Sequence, residues 1–260
     1  MAEGHNTMNI KQILQKMIER GGSDLHLKAG LQPVIRVDGK LTHLDFDKPT
    51  LKDMEAVAEQ ILSPSQKDRF KKTREVDFAF GVAGLARFRA NFYVQRGSIA
   101  MVFRHVPVEI MAIDELNLPQ VTKKLAMLQR GLVFVTGTVG SGKSTTLAAM
   151  IKEINETTNK NIITIEDPIE FLHQDKKSLI NQREVGSDTS SFHEALRHIL
   201  RQDPDVILVG EIRDALTMEI ALMAADTGHL VFSTLHTIDA TQTINRVISF
   251  FPPHQHQEIR

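Results

Sequence analysis

Residues Gly137-Thr138-Val139-Gly140-Ser141-Gly142-Lys143-Ser144 fit the pattern G-x-x-x-x-G-K-[ST], and no other stretch restricts the possible folds as strongly. The apolar run 132–136 leads straight into this loop, and an amphipathic pattern over Thr145–Thr157 follows it. Strand, glycine-rich loop and helix in that order form a phosphate cradle. The glycines let backbone N–H groups converge on phosphate oxygens without a Cβ in the way. Lys143 brings a point charge to the β- and γ-phosphates, the Ser144 hydroxyl is a Mg²⁺ ligand, and the helix N-terminus favours an anion. Residues 137–144, with Thr145 following, are therefore candidate binding residues.

The chain around this loop reads as alternating strands and helices. Leu132–Thr136, Ile162–Ile165, Val206–Val209 and Leu230–Ser233 are short continuous apolar runs, separated by helical patterns such as Thr145–Thr157 and Phe192–Arg201. The second of these carries a Ser191/Glu194 capping box. Such a rhythm predicts an α/β fold with a parallel sheet covered on both faces.

Before Pro107 the pattern differs. Ile10, Ile13, Leu14, Met17 and Ile18 are spaced as on a helix that Gly21-Gly22 stop. Val34–Val37, Asp38-Gly39 and Lys40-Leu41 read as a hairpin, and Thr50 with Asp53 opens a helix through Leu62. Alternating stretches follow at Val76–Phe80, Ala86–Val94 and Ile99–Arg104. The predicted organisation is a small α+β domain with an antiparallel sheet over 1–106, a linker over 107–130 bracketed by Pro107 and Pro119, and the phosphate-binding domain over 131–260.

Charge divides along the same line. Residues 1–108 hold 17 basic and 12 acidic side chains, and 109–260 hold 14 and 20, so +5 and −6 sum to the net −1. Opposite signs suit a head-to-tail contact between copies, and two domains of different composition would give the same split. With no Cys there are no disulfides, Cys-based zinc sites or thiol nucleophiles, which fits a reducing compartment. No apolar run approaches the roughly 18 residues of a membrane span. The first twenty residues carry polar side chains throughout and do not read as a secretory signal.

In an open α/β sheet the remainder of a nucleotide site gathers at the C-terminal ends of neighbouring strands. Candidates there are Glu166, Glu211, and His229 and His236, which bracket the last apolar run. Carboxylates so placed hold Mg²⁺ through water or deprotonate an attacking water, and a histidine contacts the γ-phosphate. The residues leave open whether Glu166 or Glu211 is the base. Asp203 and Asp205 fall at the N-terminal end of their strand and read as structural. Arg87 and Arg89, two apart on one strand, point away from the small domain's core, and Arg104 closes the next strand. Arg197 and Arg201, one helical turn apart, face the same site or pair with Glu194. His193/His198 and His254/His256 lack a third ligand and read as surface residues.

Taken together, "SDLHL" at 23–27, "GTVGSGKSTT" at 137–146, "TIEDPIEF" at 164–171, "LRQDPDVILVGEIRD" at 200–214 and "TGHLVFSTLHT" at 227–237 resemble the secretion-type ring ATPases. They correspond to that family's N-terminal signature, Walker A motif, Asp box, Walker B motif and His box, in the family's order. "SDLHLKAGLQPVIRVDGKL" so near the N-terminus is similar to the type IV pilus retraction (PilT) type. One departure is Thr138-Val139, where family members commonly have Pro-Thr.

The resemblance implies a PAS-like domain followed by a RecA-like ATPase domain, a head-to-tail homohexamer, and ATP and Mg²⁺ as cofactors. It implies Glu166 as general base, Glu211 as the carboxylate that holds Mg²⁺ through water, and His229 and His236 as phosphate sensors. Arg89 and Arg104 would approach the nucleotide, with Arg197, Arg201 and Arg213 near the site. The family's chains continue with a helical part beyond the point where this sequence ends. The implied activity is Mg²⁺-dependent ATP hydrolysis driving pilus retraction and twitching motility, with an inner-membrane platform protein as partner. The implied place is the cytoplasm, peripheral to the inner membrane. Pilus assembly and type II secretion ATPases are the alternatives within the family. A nucleic-acid translocase is disfavoured by the acidic second half and by 13 Phe, 1 Tyr and no Trp, which offer no stacking platform for bases.

Overall fold

The computed structural model describes residues 8–106 and 109–259, so residues 1–7, 107–108 and 260 of the expected domains and linker lie outside the described residues. The chain divides into two units between residues 107 and 108.

In the first unit, polar side chains set where helices begin. Helix α1 (Ile10–Glu19) opens at Asn9, whose side chain accepts the Gln12 N–H, and buries Ile10, Ile13, Leu14 and Met17. Strands β1 (Asp24–Lys28), β2 (Val34–Val37) and β3 (Lys40–His43) follow. The β2–β3 turn places Asp38 and Gly39 at φ of 48° and 78°, the left-handed pair a two-residue hairpin demands. Helix α2 (Leu51–Ile61) starts with the expected Thr50/Asp53 box. Helix α3 (Pro64–Thr73) escapes the apolar pattern because it buries no residue; its signal is a Ser63/Gln66 box with Pro64 in the first turn.

Strands β4 (Glu75–Val82), β5 (Ala86–Gln95) and β6 (Ser98–Val106) complete an antiparallel sheet of order β3-β2-β1-β6-β5-β4. Along β5, Phe88, Ala90 and Phe92 are buried while Arg87 and Arg89 occupy the other face. Phe92 packs edge-on against Phe78 and Phe103, with ring centroids 5.1 and 5.6 Å apart, and these rings join α1 and α2 in one core.

The second unit is built on a parallel five-stranded sheet of order β7-β11-β10-β8-β9. Its elements are α4 (Val121–Ala126), β7 (Gly131–Thr136), α5 (Lys143–Thr157), β8 (Asn161–Glu166), β9 (Leu179–Glu184), α6 (Phe192–Ile199), β10 (Val206–Val209), α7 (Ala215–Asp226), β11 (Leu230–Leu235), α8 (Ala240–Ser249) and α9 (His256–Ile259). Continuous apolar strands are explained by burial on both faces. Along β10, Ile207 and Val209 pack with α6 and α7, whereas Val206 and Leu208 pack with α4 and α5. This is the expected mixed α/β architecture with a covered parallel sheet.

Two expectations are corrected. The described part of the 107–130 segment is no linker: Ile113 and Ala126 are fully buried in the core beneath α5, and Lys152 Nζ donates to the Ile110 carbonyl at 2.6 Å. Burial of these side chains outweighs the punctuation by proline. At α6 only one arm of the Ser191/Glu194 box forms: Ser191 accepts the Glu194 N–H, but the Glu194 carboxylate turns to His193 and Arg197. Helix α5 begins two residues before Thr145, because Gly142 caps it at φ 89°.

Candidate active site

Parallel strands present all their C-terminal ends at one edge, so the register decides which side chains meet. Thr136, Ile165, Val209 and Leu235 lie near that edge on β7, β8, β10 and β11. The loop 137–142, Glu166 and His236 directly follow or close those strands, and Glu211 comes after β10 and Gly210. A cleft of ≈ 530 Å³ opens there, lined by Gly140, Lys143, Ser144, Glu166, Glu211 and His236 among others.

The phosphate loop is shaped by backbone that only glycine adopts easily. Gly137 has φ of 151°, and a Cβ on it would stand 2.5 Å from Ser141 Oγ. Ser141 Oγ donates to the Thr138 carbonyl at 2.8 Å and braces the loop. Lys143 Nζ donates to the carbonyls of Gly137 and Thr138 at 2.9 and 2.8 Å, so its ammonium lies over the loop.

The two candidate bases have different surroundings. Glu166 Oε1 accepts from Thr164 Oγ1 at 2.7 Å and from Gln182 Nε2 at 3.1 Å. Burial pushes the Glu166 carboxyl above the usual carboxylate range, and these hydrogen bonds only partly oppose it. Glu211 is instead held by a cation: Arg213 Nη2 lies 2.5 Å from Oε1, while His236 Nε2 stands 3.6 Å from Oε2. Its turn is braced by Thr234 Oγ1, which donates to the Gly210 carbonyl at 2.7 Å.

Other expected residues lie elsewhere. His229 precedes β11 and sits at the opposite end of that strand from His236. The six residues of β11 lie between them, and seven steps of about 3.3 Å put roughly 23 Å between the two histidines. The His229 ring meets the Ala224 carbonyl at 2.9 Å and does not line the cleft. Arg197 pairs with Glu194 at 3.4 Å, Arg201 is exposed beyond the end of α6, and neither lines the cleft. Arg89 and Arg104 belong to the first unit, where Arg104 Nε donates to Asp24 Oδ1 at 2.8 Å. Asp205 accepts the Asn161 N–H at 2.8 Å at the far edge of the sheet, the structural role expected of it.

Sequence reasoning missed Thr164, Gln182, Phe171, His173 and Phe192. The last three line the cleft, and burial lowers the His173 imidazole to about 4, so it is neutral at physiological pH. No motif spacing marks Gln182. Residues 179–184 read Leu-Ile-Asn-Gln-Arg-Glu, with neither alternation nor a long apolar run, and form a strand through pairing with β8.

The donor set suits a nucleoside triphosphate with a divalent metal: a glycine cradle, the Lys143 ammonium, the Ser144 hydroxyl and the carboxylates of Glu166 and Glu211 line one cleft, with Asp167 and Glu170 beside them. The family model for type II/IV secretion system proteins matches residues 88–253. Over 253 residues the chain is 49% identical to the type IV pilus retractation ATPase PilT of Pseudomonas aeruginosa, covering 97% of this chain and 74% of PilT. The chain belongs to the type II/IV secretion system protein family, among its PilT-type ATPases. A twitching motility protein of Neisseria gonorrhoeae is 47% identical over 228 residues, covering 88% of this chain and 61% of that protein. The crystal structure of the pilus retraction motor PilT with bound ADP superposes with a TM-score of 0.90 at 49% identity, covering 97% of this chain and 74% of that one. This member of the secretion family therefore spans between 61% and 74% of the length of these relatives. None of its described helices is long and apolar enough to cross a membrane.

Proposed function

We propose that the chain is the ATP-hydrolysing core of a type IV pilus retraction motor, the activity behind twitching motility. The observation that carries the catalytic assignment is the contrast between Glu166 and Glu211. Glu211 is engaged by the Arg213 guanidinium, whereas Glu166 is desolvated and, among the described residues, accepts only from neutral donors, which leaves it the better-placed base. Glu166 takes a proton from the water whose oxygen attacks the γ-phosphorus. The bond from that phosphorus to the β–γ bridging oxygen breaks, leaving ADP and inorganic phosphate. Lys143 and the loop N–H groups hold the β- and γ-phosphates, His236 reaches the γ-phosphate, and Ser144 with Glu211, the latter through water, holds the metal. Magnesium, when bound, offsets the charge on the β- and γ-oxygens.

In this reading the first unit is a PAS-like domain and the second is RecA-like, with strand β11 separating the loop strand from the Glu211 strand. Six copies form a head-to-tail ring, for which the +5 and −6 halves supply complementary charge. Arg89 and Arg104 of one copy approach the nucleotide of the next, and Arg213 assists within its own cleft. The motor works in the cytoplasm against an inner-membrane platform protein. Placing Arg197, Arg201 and His229 at the nucleotide has no support from this cleft, which they do not line.

Steady-state phosphate release by purified Glu166→Gln and Lys143→Ala tests the assignment. Both are expected to lose turnover, and only Lys143→Ala to lose affinity for a fluorescent ADP analogue, by at least about tenfold. Normal turnover in Glu166→Gln would remove Glu166 as the base. A retraction assay in pilated cells tests the motor's direction.

A further inference from the structure

The Gln182 carboxamide reaches across from β9 to the end of β8. Its Oε1 accepts the His173 N–H at 2.8 Å and its Nε2 donates to the Phe171 carbonyl at 2.9 Å. A backbone N–H only donates and a backbone carbonyl only accepts, so these two groups allow the amide one orientation. The remaining Nε2 hydrogen then points to Glu166 Oε1, 3.1 Å away. Thr164 Oγ1 donates to the same oxygen at 2.7 Å, and Oε2 meets only the Glu170 N–H, at 3.4 Å, among the described residues.

We propose that Gln182 is a positioning residue for Glu166: the orientation-locked amide and the Thr164 hydroxyl saturate Oε1, and Oε2 is thereby the oxygen that receives the water proton. The inference rests on Glu166 being the base. It goes further, by assigning separate work to the two carboxylate oxygens and by giving β9, which carries none of the sequence motifs, a part in the chemistry. Gln182 Nε2 can only donate here and Thr164 Oγ1 donates as well, so both favour the ionised carboxylate against the burial that disfavours it.

The test is the pH profile of kcat alongside ADP affinity. Gln182→Met fills similar space without hydrogen-bonding groups. It is expected to lower kcat by roughly 10- to 100-fold and to leave ADP affinity within about twofold. Its acid limb is expected to move to higher pH, because the ionised base has lost a donor. Gln182→Glu keeps the shape, sets a second acid beside Glu166, and is expected to move the limb in the same direction; it decides the matter if the Met variant does not fold. An unchanged kcat and acid limb would overturn the proposal. So would equal losses of kcat and ADP affinity with an unmoved limb, which mark a purely structural role. Glu166→Gln separates the two readings. If it turns over normally, the base assignment falls and this inference with it; if it is inactive while Gln182→Met is normal, only the role of Gln182 falls.

Discussion

Arg213 holds Glu211 by one oxygen, Nη2 to Oε1 at 2.5 Å, although the arginine side chain is 70% exposed and the glutamate 13%. The pair keeps the other oxygen turned toward His236, 3.6 Å away, inside the cleft. An ion pair with one solvated partner contributes little to folding, about 0.2–1 kcal/mol. Its use is to orient Glu211.

Arg213→Ala is therefore expected to separate activity from stability. Turnover should fall about tenfold through loss of a charged hydrogen bond, while the melting temperature drops by no more than about 4 °C. Phosphate release and thermal unfolding on the same preparation check this. A large loss of stability with normal turnover would contradict it.

Gly137→Ala is expected to be more damaging than Gly140→Ala. Both glycines have positive φ, but a Cβ on Gly137 meets Ser141 Oγ at 2.5 Å and one on Gly140 meets nothing within 4 Å. Backbone strain alone costs about 1–3 kcal/mol, and Gly137→Ala adds the clash and displaces the Thr138 brace. Thermal unfolding and ADP-analogue titration of both variants measure the difference; equal effects would show that the loop relaxes around the clash.

Glu166→Gln is expected to stabilise the fold at the expense of turnover. The folded carboxyl is raised by burial, so keeping it ionised at pH 8 costs stability. As pH falls through the folded value it protonates and the cost disappears. The variant should thus melt above the parent at pH 8, with the gap narrowing toward pH 5. A gap that stays constant or widens on acidification would mean that burial does not govern this carboxyl.

Legibility followed the range of the interactions involved. The hairpin at Asp38-Gly39, the Thr50/Asp53 cap and the glycine loop depend on neighbours within four residues, and the structure reproduces each. Helix α3 was hidden because it buries no apolar residue, and β9 because four of its six residues, Asn181 to Glu184, are polar. The 109–130 segment misled because proline marks bends, while burial of Ile113 and Ala126 depends on α5 lying above them.

The sequence by itself determined the phosphate loop, the covered parallel sheet and the acids at strand ends, since periodicity and glycine placement are local properties of the chain. Only the tertiary structure decided which candidates share the cleft. His229 and His236 flank one strand, yet strand direction sends them to opposite edges. Glu166 and Gln182 are sixteen residues apart, yet the pairing of β8 with β9 brings them to 3.1 Å. Strand order and direction follow from how the whole core packs, and no short motif encodes that.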